Sequence, residues 1–251
     1  MIYNVKKTLN QLTKTMMMKI IILLIKNPKS FAKKIFGGIP RLFKIYISKD
    51  EFTINVRHWK KKNGDKVHRL NYPSLSKDSI VFDIGGYVGD FAHEIHKKYG
   101  CKVYIFEPHP VFYEKCVQRF KGNTNMITLN YGLSDMTGKF ELTDSVDGSS
   151  FLNLKGKNTV LCEVKNIFDV LKDLEINNID LMKINIEGGE YPLLQHIAAN
   201  DKLNIVNFYQ IQFHNFIEDA EKKRKKILMA LNKSHISTWC FKFVWEGWER
   251  K

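Results

Sequence analysis

The sequence predicts an α/β protein with a doubly wound, mostly parallel sheet. From Asp78 onward, short apolar runs alternate with segments of helical periodicity, which is the pattern of a parallel sheet covered by helices on both faces. The first run, residues 80–84, leads through a glycine-rich loop directly into a helix pattern. Two aromatic runs within residues 235–249 predict an antiparallel pair of strands at one edge of the sheet. Together these features predict a Rossmann-like architecture.

Each element has its own signal in the spacing of apolar residues. Short runs rich in branched and aromatic residues predict strands at 80–84, 102–107, 126–130, 181–186 and 205–213. Apolar residues three and four apart predict helices at 88–99, 111–120, 167–174, 191–199 and 217–231. The first two helices end next to Gly100 and Gly122, because glycine readily adopts the conformation that ends a helix. Residues 131–163 contain several glycines and predict loops with one short strand near Phe140.

Composition divides the chain into three segments. Residues 1–49 form a basic extension with helical signals, residues 50–77 a polar strand pair or cover, and residues 78–251 the α/β domain. The extension holds eleven Lys or Arg and no Asp or Glu, so only three of the fourteen net positive charges lie elsewhere. Charge confined to one segment indicates either a solvated leader or an arm that lies against anionic lipid or nucleic acid.

The apolar run in the extension is too short for a membrane span. Residues 16–25 are apolar but interrupted by Lys19, whereas a span needs about 20 residues. The segment predicts a basic amphipathic helix that docks on its own domain or lies in a membrane interface. Four scattered cysteines indicate a reducing compartment. We therefore expect a cytoplasmic protein, with residues 1–49 available for peripheral contact with the inner membrane face.

The loop after the first strand has the composition of a ligand-binding turn. Asp83 ends the strand, and Gly85, Gly86, Tyr87 and Gly89 precede the next helix. Glycines let the backbone turn sharply and approach a ligand closely. The dinucleotide fingerprint would need a glycine directly after Asp83, and the Gly-Lys-Ser/Thr of a P-loop is absent from the sequence. An acidic residue here suits the ammonium and sulfonium groups of S-adenosylmethionine (SAM), which we expect as the cofactor.

Two further loops complete the predicted cofactor site. Glu107 ends the second predicted strand and Pro108 follows it, and a carboxylate there can accept hydrogen bonds from both ribose hydroxyls. Ser134 and Asp135 lie just past the third strand and are predicted to contact the edge of the adenine. The carboxyl ends of parallel strands meet at one edge of a sheet, so these loops are expected to lie together.

These motifs resemble the FkbM family of methyltransferases. The resemblance covers roughly residues 78–215, and it is carried by VFDIGGYVG (81–89), FEP (106–108), GLSD (132–135) and KINIEGGE (183–190). It implies a Rossmann-like class I fold and a SAM-dependent O-methyltransferase that commonly acts on sugar hydroxyls of surface glycans or on secondary metabolites. The family usually has Asn where this chain has Tyr87, and Asp where it has Asn185, so a base role at the latter position is lost.

The candidates for catalysis lie at or just after the ends of the two strands predicted at 181–186 and 205–213. A sugar hydroxyl is a weak nucleophile, so a positioned base is expected. His214 is predicted as that base, with Glu187 orienting it or the acceptor, and with Asn185 positioning a hydroxyl or the methionine end of the cofactor. Glu190 and Gln212 are predicted to face the acceptor. The histidines have no spacing typical of metal ligands, so no metal is expected.

Polar residues on these two strands carry two further expectations. Gln210, Gln212 and His214 alternate along a predicted buried strand, which places three polar side chains on one face, as in a binding site. Lys183 is predicted to neutralise the nearby Glu187 and Glu190.

The tryptophans near the carboxyl terminus are predicted to pack at the sheet edge, with stacking on a sugar ring as the alternative; they are Trp239, Trp245 and Trp248.

Other functions stay open beside glycan or glycolipid methylation. A nucleic-acid methyltransferase would explain the positive charge, but that charge is confined to the extension and lacks interleaved aromatic residues. A non-catalytic SAM-fold partner in a glycan-synthesis complex would explain Asn185. A nicotinamide oxidoreductase is disfavoured by the missing first glycine of its fingerprint. Nucleic acid is therefore not expected as a partner.

Overall fold

The structure is a computed structural model that describes residues 50–143 and 159–251. The chain divides at residues 54/55, and the described residues of the second unit, within 55–251, form one compact body. The helices predicted within residues 1–49 lie outside the described residues. Where the sequence predicted a strand pair or a cover, residues 50–77 hold two helices, α1 (Glu51–Lys61) and α2 (Gly64–Val67).

A seven-stranded sheet forms the centre of the second unit, in the order β3-β2-β1-β7-β8-β10-β9. The first five strands in this order are parallel, and β10 is antiparallel to both of its neighbours. The doubly wound sheet with an antiparallel carboxyl-terminal edge is therefore confirmed. The strands are β1 (Ile80–Ile84), β2 (Lys102–Phe106), β3 (Met126–Leu129), β7 (Ile179–Ile184), β8 (Val206–Ile211), β9 (His235–Phe241) and β10 (Trp245–Arg250).

Helices cover both faces of this sheet because its strands alternate their side chains between two apolar clusters. Val81 packs with residues of the two helices that follow β1 and β2, whereas Phe82 packs with residues of the three later helices. All strand residues involved are nearly inaccessible to solvent. The helices are α3 (Asp90–Tyr99), α4 (Pro110–Arg119), α5 (Ile167–Asp173), α6 (Glu190–Ala199) and α7 (Ala220–Ser234). Among the described residues, no helix combines the length and apolar character needed to cross a bilayer.

A second, three-stranded sheet occupies the region where mainly loops were predicted. Its order is β4-β6-β5, with β4 (Gly132–Ser134), β5 (Gly138–Thr143) and β6 (Thr159–Asn166). β6 pairs in parallel with β4 and antiparallel with β5. The short strand predicted near Phe140 corresponds to β5, whereas β4 and β6 were not predicted.

β8 is shorter than predicted, and this changes the polar face expected on it. The strand ends at Ile211, so Gln212 and His214 follow it instead of continuing it. The side-chain amide of Gln210 lies 2.9 Å from the Tyr72 hydroxyl and is fully buried there. The prediction that Gln210, Gln212 and His214 line one site from a single strand face is therefore wrong.

Candidate functional site

The loop between β1 and α3 is bent so tightly that it requires glycine. Gly85 has φ +82°, and a Cβ at this position would lie 2.0 Å from the carbonyl oxygen of Asn185. Gly89 has φ +79°, and its Cβ would lie 2.5 Å from the Phe120 ring. The amides of Gly85 and Gly86 both donate to the carbonyl of Phe106, which ties the loop to the end of β2. Glycine is therefore required for steric reasons at both ends of the predicted turn.

Tyr87 is the one residue of this loop whose side chain is large and exposed. Its φ of +51° lies in the left-handed region that favours Gly and Asn. Its amide donates to Glu107 Oε2 at 2.7 Å, and its ring lies 4.5 Å from that of Phe112. Nearly half of the side chain, 45%, stays accessible to solvent. Tyr87 therefore forms an aromatic wall beside the Glu107 carboxylate.

Glu107 is a buried carboxylate held by backbone amides. Tyr87 N–H donates to Oε2, and His109 N–H donates to Oε1 at 2.9 Å. Burial raises the pKa of Glu107 to about 7, although both amides act in the opposite direction. Each oxygen keeps a lone pair for a further donor. A diol such as the two hydroxyls of a ribose matches this geometry.

Glu107 lies in a cavity of 310 Å³ at the carboxyl edge of the sheet. A volume of this size is within the range of small-molecule sites. Of the predicted cofactor residues, four line it: Gly85, Tyr87, Glu107 and Pro108. Of the predicted catalytic residues, Asn185 and Glu187 do so. The other lining residues are Phe112, Gly132, Leu133, Phe140, Leu142, Val164 and Ile186.

Asp83 lies behind the loop and does not line the cavity. It is fully buried, and the Nζ of Lys183 donates to its Oδ1 at 2.8 Å and to the Gly85 carbonyl at 2.7 Å. Burial lowers the pKa of Lys183, and Asp83 counteracts that shift. The ion pair therefore fixes the Gly85 carbonyl, and a direct contact between Asp83 and the cofactor stays a prediction.

The same ion pair corrects the expectation for Lys183. Its ammonium pairs with Asp83 and not with Glu187 or Glu190. Asp83 and Lys183 are direct register partners on β1 and β7. Asp83 is the one charged residue of β1 and Lys183 the one basic residue of β7, and this was the signal that could have identified the pair.

Ser134 and Asp135 are close to the cavity but are not among its lining residues. The Ser134 hydroxyl donates to Asp135 Oδ1 at 2.9 Å, and Asn166 Nδ2 donates to the Asp135 carbonyl at 2.8 Å. Their neighbours on β4, Gly132 and Leu133, line the cavity instead. The adenine contact of Ser134 and Asp135 stays a prediction.

The structure brings His214 between two carboxylates. His214 Nδ1 lies 3.1 Å from Glu190 Oε1, and Nε2 lies 3.5 Å from Glu187 Oε1. Glu190 is fully buried, and its oxygens also accept from the amides of His214 and Gly188, both at 2.8 Å. Glu190 is therefore placed to hold His214 and the loop after β7, and not to touch an acceptor as predicted.

Glu187 is the member of this group that reaches the cavity. Its side chain is 37% exposed, and its backbone has φ +50°. Burial lowers the pKa of His214, but the hydrogen bonds and charges of Glu187 and Glu190 outweigh burial and raise it to about 9. His214 is thus an imidazolium at neutral pH, so it can act as the predicted base only after it loses that proton.

Asn185 lines the cavity and carries a buried acceptor that lacks a partner in the described chain. Its Oδ1 is buried and has no hydrogen-bond partner within the described chain. Leaving such an atom unpaired costs about 1–3 kcal/mol, so a donor from a ligand would be favoured there.

Gln212 is half-buried and does not line the cavity. Among residues 50–143 and 159–251, no cluster of His, Cys, Asp or Glu has the arrangement of a metal site.

Comparison with known proteins gives one curated relative and several similar structures. Methyltransferase sdnD of Sordaria araneosa is 26% identical over 167 residues, which are 52% of this chain and 64% of that protein. The chain thus spans less than two thirds of that relative. The FkbM methyltransferase from Methylobacillus flagellatus KT is 12% identical, with a TM-score of 0.45 over 70% of this chain and 44% of that one. A putative rRNA methylase from Clostridium thermocellum is 8% identical, with a TM-score of 0.48 over 75% and 94%.

The decisive match is to a protein family. The methyltransferase FkbM domain matches residues 83–235, which is more than half of the chain and includes the glycine loop, Glu107 and the His214 group. Both the family and its cofactor agree with the expectation from the sequence. The chain belongs to the FkbM methyltransferase family, and its cofactor is S-adenosylmethionine.

Proposed function

We propose that the protein transfers a methyl group from SAM to a hydroxyl oxygen, on a sugar of a surface glycan or glycolipid precursor. The observation that carries the proposal is the group Glu187–His214–Glu190 at the cavity wall. A hydroxyl must lose its proton as it is methylated, and this group combines an accessible carboxylate with a buried imidazole. The sugar as acceptor follows from what the family resemblance implies.

The residues of the cavity fit the ribose and the methionine end of SAM. Glu107 offers two carboxylate oxygens for the ribose hydroxyls. Asn185 Oδ1, buried without a partner in the described chain, would accept from the ammonium group. Pro108 and Leu133 line the same cavity and supply apolar surface for the adenine. Bound SAM supplies the electrophilic methyl group.

Glu187 and His214 then take up the proton that the acceptor hydroxyl loses. At neutral pH the pair holds one proton, on His214, because two carboxylates stabilise the imidazolium. When that proton is lost, Glu187 accepts a hydrogen bond from the acceptor hydroxyl, and the hydroxyl proton passes through it to His214 Nε2. Glu190 holds the ring by its bond to Nδ1 and so keeps Nε2 toward Glu187. Bound SAM would supply the methyl group for the new C–O bond, and its sulfur would leave as a neutral thioether.

The test is methyl transfer from isotopically labelled SAM to three acceptor classes. These are neutral oligosaccharides, lipid-linked glycan extracts and RNA, each incubated with the wild type and with Glu187→Gln. Label on a sugar hydroxyl that falls at least about 100-fold in the variant supports the proposal. Glu94→Gln, at an exposed helix position, is the matched control and keeps full activity. Label in RNA favours the nucleic-acid alternative, and SAM binding without transfer favours the non-catalytic partner.

We also propose that residues 1–49 bring the enzyme to an anionic membrane face in the cytoplasm. The support is the cluster of eleven basic residues without an acid in that segment. Co-sedimentation with vesicles containing phosphatidylglycerol tests this, using a variant in which Lys33, Lys34, Arg41 and Lys44 are replaced by Gln. Equal sedimentation of wild type and variant would reject the membrane role.

A further inference from the structure

A second concave site lies away from the SAM cavity, between the segment after α2 and the antiparallel edge of the sheet. It is a groove of 390 Å³ whose lining shares no residue with the SAM cavity. Phe208 is near the amino end of β8, whereas His214 follows the carboxyl end of that strand. The groove is lined by Val67, His68, Asn71, Tyr72, Pro73, Ser74, Phe208, Thr238, Trp239 and Glu249.

Trp239 gives the groove a fixed aromatic surface. Its ring lies against the backbone of Gly247, where a Cβ would come within 2.2 Å of the indole. Its centroid is 5.2 Å from that of His68 and 5.8 Å from that of Trp59, which is itself buried. Trp239 stays only half-buried. The indole is therefore held in place by its neighbours while part of its surface remains open to a ligand.

The polar groups of the groove are neutral or acidic. Asn71, Ser74 and Thr238 offer amide and hydroxyl groups, and Glu249 offers a carboxylate. None of the described lining residues is Lys or Arg. Burial, and then the charge of Lys62, lower the pKa of His68, so its imidazole is neutral at pH 7. Phosphate groups need cationic partners, so this lining disfavours nucleic acid and other polyanions.

We propose that this groove binds a neutral oligosaccharide, with a sugar ring packed on Trp239 and its hydroxyls bonded by Glu249, Asn71 and Thr238. A sugar ring has an apolar face and a polar rim, and the groove supplies a surface for each. The proposal rests on the proposed function only in one respect: the bound sugars would be a distant part of the acceptor chain. Binding itself requires neither SAM nor turnover.

Tryptophan fluorescence gives a local readout for this proposal. The chain has four tryptophans, and all of them lie in α1, β9 or β10, close to the groove. The full chain, without SAM, is titrated with maltohexaose, chitohexaose and a twelve-residue oligouridylate. A saturable change with a neutral hexasaccharide and none with the oligouridylate is expected. In Trp239→Ala the affinity, followed by calorimetry, falls at least about tenfold.

Two further variants keep the test decisive. Glu249→Gln leaves the aromatic packing intact and weakens binding several-fold, so it serves if Trp239→Ala does not fold. Ile236→Ala changes an exposed side chain of β9 outside the groove and leaves binding unchanged. The proposal is overturned if the folded wild type shows no saturable response to either hexasaccharide, if Glu249→Gln binds like the wild type, or if the oligouridylate binds instead. None of these outcomes bears on SAM binding or on methyl transfer at the other site.

Discussion

Replacing Glu187 by Gln is expected to lower the pKa of His214 while leaving the fold intact. In the wild type the pKa is raised from 6.5 to about 9, a net preference of about 3 kcal/mol for the imidazolium. Two carboxylates produce this preference against burial, at 3.1 Å for Glu190 and 3.5 Å for Glu187. The hydrogen bond to Glu187 is the largest interaction that raises this pKa, so the removal of Glu187 should lower the pKa from about 9 toward its ordinary value.

The pH dependence of stability has a definite sign. The folded-state pKa of His214 exceeds its unfolded value, so the stabilisation is fully present below pH 6.5 and is lost as pH rises through about 9. The loss amounts to about 3 kcal/mol in the wild type and is smaller in Glu187→Gln. Methylation has the opposite dependence, because the pair can take up the hydroxyl proton only after the imidazolium has deprotonated. Its rate should rise from pH 7 toward pH 9.

Proton NMR titration of the His214 ring measures this pKa directly. The resonance is assigned by its disappearance in His214→Gln, and urea unfolding at pH 6.5 and pH 9.5 gives the stability difference. Glu218→Gln, at an exposed position, is the control and leaves the titration unchanged. A wild-type His214 that titrates near pH 6.5, or an identical titration in Glu187→Gln, would refute the assignment of the two carboxylates as its partners.

Three further predictions concern the cofactor site. SAM affinity should weaken as pH falls below about 7, because protonation of Glu107 removes an acceptor for the ribose; calorimetry at pH 6 and 8.5 tests this, and a pH-independent affinity would contradict it. Gly85→Ala should destabilise the fold by more than about 2 kcal/mol and abolish SAM binding, since its Cβ would meet a backbone oxygen, whereas Gly138→Ala, with open space around it, should be nearly neutral in urea unfolding. Lys183→Met should cost about 3–5 kcal/mol by leaving Asp83 charged and unpaired, and adding Asp83→Asn should recover part of that loss; a double variant no more stable than the single one would count against the pairing.

Local sequence signals predicted the parts of the fold that local rules control. The predictions of β1 and of the loop after it are confirmed. An apolar run followed directly by glycines is compatible with few structures other than a buried strand and a tight turn, because glycine readily adopts positive φ. The position of Glu107 at the end of β2 follows from the same strand-loop-helix repeat. Predicted boundaries of the long helices differ from the structure by a few residues at most.

Long-range pairing accounts for what the sequence did not reveal. β4, β5 and β6 pair across a segment of many residues, and a short glycine-containing strand has no periodicity long enough to identify it. The ion pair of Asp83 and Lys183 joins residues 100 positions apart, and the burial of Glu190 depends on where α6 packs. Each of these features depends on tertiary contacts. Residue type alone therefore predicted polar and charged residues at the carboxyl edge of the sheet, but not the partner of each side chain.

Calorimetric titration with SAM of the wild type and of Glu107→Ala tests whether the cavity around Glu107 binds the cofactor, with NADH as the comparison ligand. We expect saturable SAM binding in the micromolar range by the wild type, loss of that binding in a folded Glu107→Ala, and no binding of NADH. A folded wild type that fails to bind SAM, or a Glu107→Ala variant that binds it equally well, would contradict the assignment of this cavity as the cofactor site.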